Sequence, residues 1–244
     1  MFKLVRRNYI MKSSNRIRHI INMCKYNETI IDVGCDHGYI SIGLLNSNKC
    51  SRCYAVDINK DPINIAMNNI KKYNLDTKIR CILSDGFNWF DSLENTSAVI
   101  AGMGGSTIAS IINRNINKIK YMNYILIQPN AYSKDIRKYL YDKQFHVEKE
   151  DVIYSKGIYY EYILILPKQQ ENLDKEYINF LVCFDYDMPL CIFNNAEGKY
   201  NDFIKYKINK YKGVLFHLRK NKLSNTIKYE TFSRRIEILG RFLL

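Results

Sequence analysis

At 244 residues and 47% hydrophobic content, the chain is long enough to bury a full core, as one domain with a sizeable appendage or as two small domains. Its 37 Lys and Arg against 24 Asp and Glu give a formal charge of +13, which favours a polyanionic partner such as RNA, DNA or an anionic membrane. Part of the lysine excess follows from a composition rich in Lys, Asn, Ile and Tyr.

No stretch approaches the roughly 20 apolar residues of a membrane span, and Met1 to Arg7 lacks the apolar run of a secretory signal. A soluble, cytoplasmic protein without membrane attachment is therefore expected. The 7 cysteines show no disulfide spacing, and Cys50-Ser51-Arg52-Cys53 has no second pair or nearby His to complete a zinc set, so no metal site is expected.

In chain order, a basic segment carrying Arg16, Arg18 and His19 beside Lys12 predicts a helix over roughly Ser13 to Cys24. Ile30 to Val33 reads as a buried strand running into the turn Gly34-Cys35-Asp36-His37-Gly38, with a helix from about Tyr39 to Leu45. Cys53 to Asp57 is a second strand that ends on a carboxylate. Asp61-Pro62 looks like an N-cap followed by proline at the first helical position, with Ile63, Ala66, Met67, Ile70 and Tyr73 at helical spacing. Ile79 to Leu83 is a third strand, ending at Ser84-Asp85-Gly86. Ala98 to Ala101 is a fourth, running into Gly102-Met103-Gly104-Gly105 and a helix from Ser106 to about Asn113. Tyr124 to Ile127 is a fifth, ending at Gln128-Pro129-Asn130. A helix from Ser133 to Asp142 precedes strands His146 to Tyr154 and Tyr159 to Leu166, whose short turn at Lys156-Gly157 makes them antiparallel.

Strands alternating with helices argue a parallel sheet covered on both faces, in which ligands bind outside the carboxyl ends of the strands. The glycine and acid motifs all lie at such ends. An acid closing the second strand, after a glycine turn closing the first, suits a nucleotide-type cofactor whose ribose hydroxyls the acid accepts. A dinucleotide needs a glycine where this chain has Asp36, whose carboxylate would repel a pyrophosphate. S-adenosylmethionine has no phosphate and carries a sulfonium cation, so it tolerates Asp32 and Asp36.

The strings Asp32-Val33-Gly34-Cys35-Asp36-His37-Gly38-Tyr39, Ser84-Asp85-Gly86, Ala101-Gly102-Met103-Gly104-Gly105, Gln128-Pro129-Asn130 and Tyr160-Glu161 resemble the TrmK family of tRNA (adenine-N1)-methyltransferases, which methylate adenine 22. The likeness runs in order over roughly Ser13 to Leu166. This chain has Cys35 and Gly38 where the family usually shows Ser and Ala, and Asp57 where it usually shows Glu. The resemblance implies a Rossmann-like class I methyltransferase sheet over residues 1–167, an α/β fold, with a coiled-coil-like helical extension over residues 168–244. It implies S-adenosylmethionine as cofactor and tRNA as partner, and no obligate protein partner is evident.

The implied layout places Asp32, Gly34, Cys35, Asp36 and Gly38 around the methionine part and Asp57 with Ile58 at the ribose. Asp85 would accept from the cofactor's adenine amino group beside Gly86, and Gly102, Met103 and Gly104 would flank the entering base. Asp36 and His37 are the candidate catalytic residues, with a turn-stabilising role the alternative for His37. Lys12, Arg16, Arg18, Asn130 and Arg137 are the candidate RNA contacts. The fourth strand end lacks the proline-aromatic motif that amine-directed methyltransferases place there, which favours a ring nitrogen such as adenine N1 as the acceptor. Two other readings stay open: a Rossmann methyltransferase for another RNA, a protein or a small molecule, and a non-catalytic tRNA-binding protein.

Beyond Pro167 a polar linker leads to apolar residues laced with lysines between Lys199 and Lys222, and a second helix is expected from Lys228 to Phe242. An antiparallel helical hairpin would bury the apolar faces on each other and leave a basic face for tRNA.

Overall fold

The computed structural model describes residues 14–169, 175–193, 195 and 197–243; Lys12, one of the expected RNA contacts, lies outside them. The chain divides into two compact units, Met1–Lys149 with Ile153–Glu171, and Glu150–Val152 with Asn172–Leu244.

The strands are β1 (Thr29–Val33), β2 (Arg52–Asp57), β3 (Ile79–Leu83), β4 (Thr96–Gly104), β5 (Tyr124–Ala131), β6 (Phe145–Ser155) and β7 (Ile158–Gln169), all in the first unit except for Glu150–Val152 of β6. They form one sheet in the order β3-β2-β1-β4-β5-β7-β6. Strands β1 to β5 run parallel, and β7 is antiparallel to β5. The order reverses between β1 and β4, which is where doubly wound sheets open a crevice.

Helices α1 (Asn15–Met23), α2 (Tyr39–Asn46), α3 (Lys60–Lys72), α4 (Gly105–Arg114), α5 (Ile116–Ile119) and α6 (Ser133–Asp142) accompany the sheet. Both faces are covered, so the strands read as apolar runs rather than alternating ones. Along β1, Ile30 packs into one core cluster with Ile42, Leu44 and Leu126. Its neighbours Ile31 and Val33 pack into the other with Ile100, Ile108 and Ile127.

Two boundaries differ from the sequence reading for physical reasons. Helix α3 is capped at Asn59, so Asp61 and Pro62 are its second and third residues rather than cap and first position. Proline is tolerated there because no N–H of the first turn has an intrahelical partner. Strand β4 continues past Ala101 to Gly104, with its register to β5 shifting around Gly102. Gly102 sits at φ +85°, a conformation that lets the strand bulge there and continue.

The second unit contains α7 (Lys175–Cys183), α8 (Leu190–Phe193), α9 (Asn201–Lys220) and α10 (Ile227–Gly240), with α9 and α10 packed on each other. Phe180 is the hub of its aromatic packing, with ring centroids of Phe184, Phe193 and Phe242 at 4.9, 5.5 and 5.6 Å. Not every lysine of α9 faces water. Lys207 is buried and donates to the Asp187 carboxylate at 2.9 Å, which also accepts from the Tyr211 hydroxyl at 3.0 Å. Burial alone would raise the Asp187 pKa, but Lys207 and Tyr211 hold it below the usual carboxylate value. No helix among the described residues is long and apolar enough to cross a membrane.

Candidate active site

A crevice of about 510 Å³ opens where β1, β2, β4 and β5 end, at the reversal of strand order. Its floor is the turn after β1. The backbone N–H groups of Gly34 and Cys35 both donate to the Val56 carbonyl, at 2.8 and 2.9 Å, tying the turn to β2. Gly34 has φ +73°, and a Cβ there would collide with the terminal methyl of Met103. The turn requires glycine for its backbone conformation, whereas the Met103 side chain that lies over it is flexible at its far end and could give way.

Asp57 closes β2 and is almost fully buried. One of its oxygens accepts from the Asp36 N–H at 3.2 Å and the other from the Asn59 N–H at 3.0 Å. The carboxylate is thus fixed in orientation, and each oxygen keeps acceptor capacity for a ligand hydroxyl.

Asp32 lies one step behind this wall, 1% exposed. Its Oδ2 accepts from both the backbone N–H and the hydroxyl of Ser41, at 3.1 and 2.7 Å. Its Oδ1 has no hydrogen-bond partner among the described residues. Burial pushes the carboxyl up to about 6, against the lowering effect of Ser41 and Arg16. A buried acceptor left open is costly unless a ligand satisfies it.

At the opposite wall, Arg16 reaches from α1 to donate to Gln128 Oε1, a buried amide at the end of β5. Gln128 Nε2 donates to Asn130 Oδ1 at 3.3 Å, and Asn130 Nδ2 donates to the Gly102 carbonyl at 2.9 Å. This relay joins α1, the β4 bulge and the end of β5. Asp85 is gripped by both terminal nitrogens of Arg114, at 2.7 and 2.9 Å.

The crevice brings together Gly34, Cys35, Asp36 and His37 of the first turn with Asp57 and Ile58 of the second strand end. It also gathers Asp85 and Gly86, Gly102 and Met103, and Asn130. Three expected cofactor residues are not on its wall. Asp32 is behind it, Gly38 caps α2 and packs toward Ala66, and Gly104 caps α4. Asp36 and His37 occupy the rim, with side chains 70% and 45% exposed and His37 Nε2 3.6 Å from Asp36 Oδ1. The Cys35 thiol is kept protonated by burial and by the Asp32 and Asp57 carboxylates, so it is no nucleophile.

The expected RNA contacts separate. Arg18 is exposed and donates to Asn15. Arg16 points into the crevice rather than lying on an outer face. Arg137 corrects the sequence reading: it is 3% exposed and paired with Glu161 of β7, so it is a structural cation that no RNA can reach. Asp85 stays on the crevice wall, where each of its oxygens accepts one N–H of Arg114 and keeps further acceptor capacity. The sequence reading missed Ser41 and Arg114. Neither stands next to its carboxylate in the chain, and nothing in the local pattern marks either one.

These features define a doubly wound α/β protein with a nucleotide-type cofactor crevice at its switch point. Residues 13–163 match the family described as a methyltransferase domain, and the chain belongs to that family. A tRNA (adenine(22)-N(1))-methyltransferase of Bacillus subtilis is 27% identical over 154 residues, a match spanning 63% of this chain and 65% of that protein. A Mycoplasma genitalium protein with a provisional tRNA methyltransferase name is 30% identical over 169 residues, covering 67% of this chain and 74% of its own. Among solved structures, TrmK from M. capricolum in complex with S-adenosyl-homocysteine is 26% identical, with a TM-score of 0.74 over 94% of this chain and 97% of that one.

Proposed function

We propose that the protein is an S-adenosylmethionine-dependent methyltransferase that modifies N1 of an adenine in tRNA, at position 22 as in its Bacillus subtilis relative. The observation that carries the cofactor reading is the buried Asp32 with one open oxygen, set behind the same crevice as the fixed acceptor Asp57. Asp57 would accept from the two ribose hydroxyls. Arg16, on the crevice wall, can meet the carboxylate of the zwitterionic methionine head, while Asp32, buried behind the wall, favours its ammonium through negative charge rather than direct contact. The cofactor, when bound, supplies an activated methyl on a sulfonium.

The residues at the β4 and β5 ends favour N1 over the exocyclic amine. A primary amine must shed a proton, and enzymes acting on it supply carbonyl acceptors. Here the fourth strand end carries Gly102-Met103-Gly104-Gly105 in place of the proline-aromatic motif such enzymes use. Adenine N1 presents its lone pair without deprotonation, so the protein need only orient the base and exclude water. Holding nucleophile and methyl in near-attack geometry supplies on the order of 7–11 kcal/mol of the barrier. The adenine must be unstacked from the tRNA to enter, and the charge of +13 suits the polyanion.

The test is incubation with bulk tRNA and methyl-labelled S-adenosylmethionine, with total protein and small-molecule fractions as controls. Label is expected in tRNA. Label in another fraction, or tRNA binding without transfer, contradicts the reading.

A further inference from the structure

Helix α9 has two faces of different chemistry. Phe203, Ile204, Ile208, Tyr211 and Leu218 are buried. Tyr206, Lys210, Gly213, Phe216 and Lys220 are exposed, and their spacing of three or four residues aligns them as one stripe. From Phe203 to Tyr229 the chain carries 8 Lys or Arg and no Asp or Glu.

Gly213 is the informative residue. Glycine inside a helix is less stable than alanine, yet a Cβ at this position would meet nothing within 4 Å. The fold has no steric need for it. What the missing side chain provides is close access to the helix backbone from outside, in the middle of a cationic stripe with an exposed phenylalanine one turn further on, 66% exposed.

The geometry points to this stripe as a contact for the sugar-phosphate backbone of folded tRNA, with Gly213 at the closest approach. Lys210 and Lys220 meet phosphates, and Phe216 stacks on an unpaired base. The assignment rests on the proposed function, whose substrate is a polyanion of this chemistry. A second copy of the chain would set like charges against each other on a stripe that lacks acids.

The experiment measures tRNA affinity of the full chain over a range of salt, tRNA KM, thermal stability and cofactor affinity for three variants. Gly213→Ala is expected to raise the melting temperature while weakening tRNA binding, opposite signs that a purely structural glycine would not produce. Phe216→Ala is expected to weaken binding roughly tenfold with an unchanged salt slope. Lys210→Gln with Lys220→Gln should flatten the slope of log K against log salt by about 1.5. Cofactor affinity should stay at the wild-type value throughout.

Wild-type tRNA affinity and KM in all three variants, with methyl transfer to tRNA intact, overturn this surface alone. A wild-type protein that binds cofactor but neither binds nor methylates tRNA overturns the proposed function and this surface with it. Two further results also overturn it: phosphatidylglycerol vesicle binding that the variants abolish while tRNA affinity holds, or a dimer that Gly213→Ala disperses.

Discussion

Ser41 donates its backbone N–H and its hydroxyl to the same oxygen of Asp32, leaving the other oxygen of a 1% exposed carboxylate without a partner among the described residues. Burial raises this group from 3.8 to about 6. The folded state therefore holds a proton that the unfolded chain has lost between those values. That contribution to stability is fully present below pH 3.8 and is lost as pH rises through about 6. Cofactor binding is expected to act the other way. An ammonium needs the carboxylate ionised, so affinity should fall as pH drops below about 6, and binding at that pH should release a proton. Calorimetry in buffers of different ionisation heat reads the release directly. Ser41→Ala removes one donor that favours the charged form, so it should move the loss of affinity to higher pH. Binding near pH 6 without proton release would show that the Asp32 charge does not act on the ammonium.

Asp57→Ala removes the acceptor assigned to the ribose hydroxyls and also frees the N–H groups of Asp36 and Asn59. Hydrogen bonds to a charged acceptor contribute about 1.5–3 kcal/mol, so cofactor affinity should drop by at least roughly tenfold. Titration of the purified variant with S-adenosylmethionine measures this. Unchanged affinity would mean that the second strand end does not hold the ribose.

Asp36 carries an exposed carboxylate on the crevice rim, where it can favour the positive charge that develops on adenine N1. At high exposure a charge at about 4 Å is worth on the order of 1 kcal/mol. Asp36→Asn should lower kcat by about fivefold and leave cofactor affinity unchanged. A larger fall in affinity than in kcat would place Asp36 in binding instead.

Arg137 is expected to act on stability and not on RNA. Arg137→Met strands the nearly buried Glu161 without its cation, which costs about 3–5 kcal/mol when a buried pair is broken. Adding Glu161→Gln should recover much of that loss. Denaturant unfolding checks both, and full stability of the single variant would contradict the assignment.

The strand ends were legible because strands buried on both faces read as apolar runs, and three of these runs stopped at glycine or acid: Gly34 after β1, Asp57 closing β2, Gly102 in β4. What lay beyond reading was pairing across distance. Arg137 looks like a solvated helix cation until β7 brings Glu161 to it from 24 residues away, and the cation beside Asp85 is unseen until Arg114 arrives from the end of α4. Lys207 follows the same pattern, since its lysine spacing suits a wet face while Asp187 draws it inward. Composition placed a boundary at Pro167, whereas residues Glu150–Val152 within β6 group with the C-terminal unit. There Asp151 accepts from Lys199 at 2.9 Å and from the Tyr200 hydroxyl at 2.8 Å. No local pattern announces a strand shared in this way.

The position of the transferred methyl tests the account most directly. tRNA methylated by the protein with labelled cofactor, digested to nucleosides under conditions that prevent rearrangement of N1-methyladenosine to its N6 isomer, is separated and weighed by mass spectrometry. The account predicts N1-methyladenosine as the labelled product. Predominant N6-methyladenosine, or label on a base other than adenine, would contradict it.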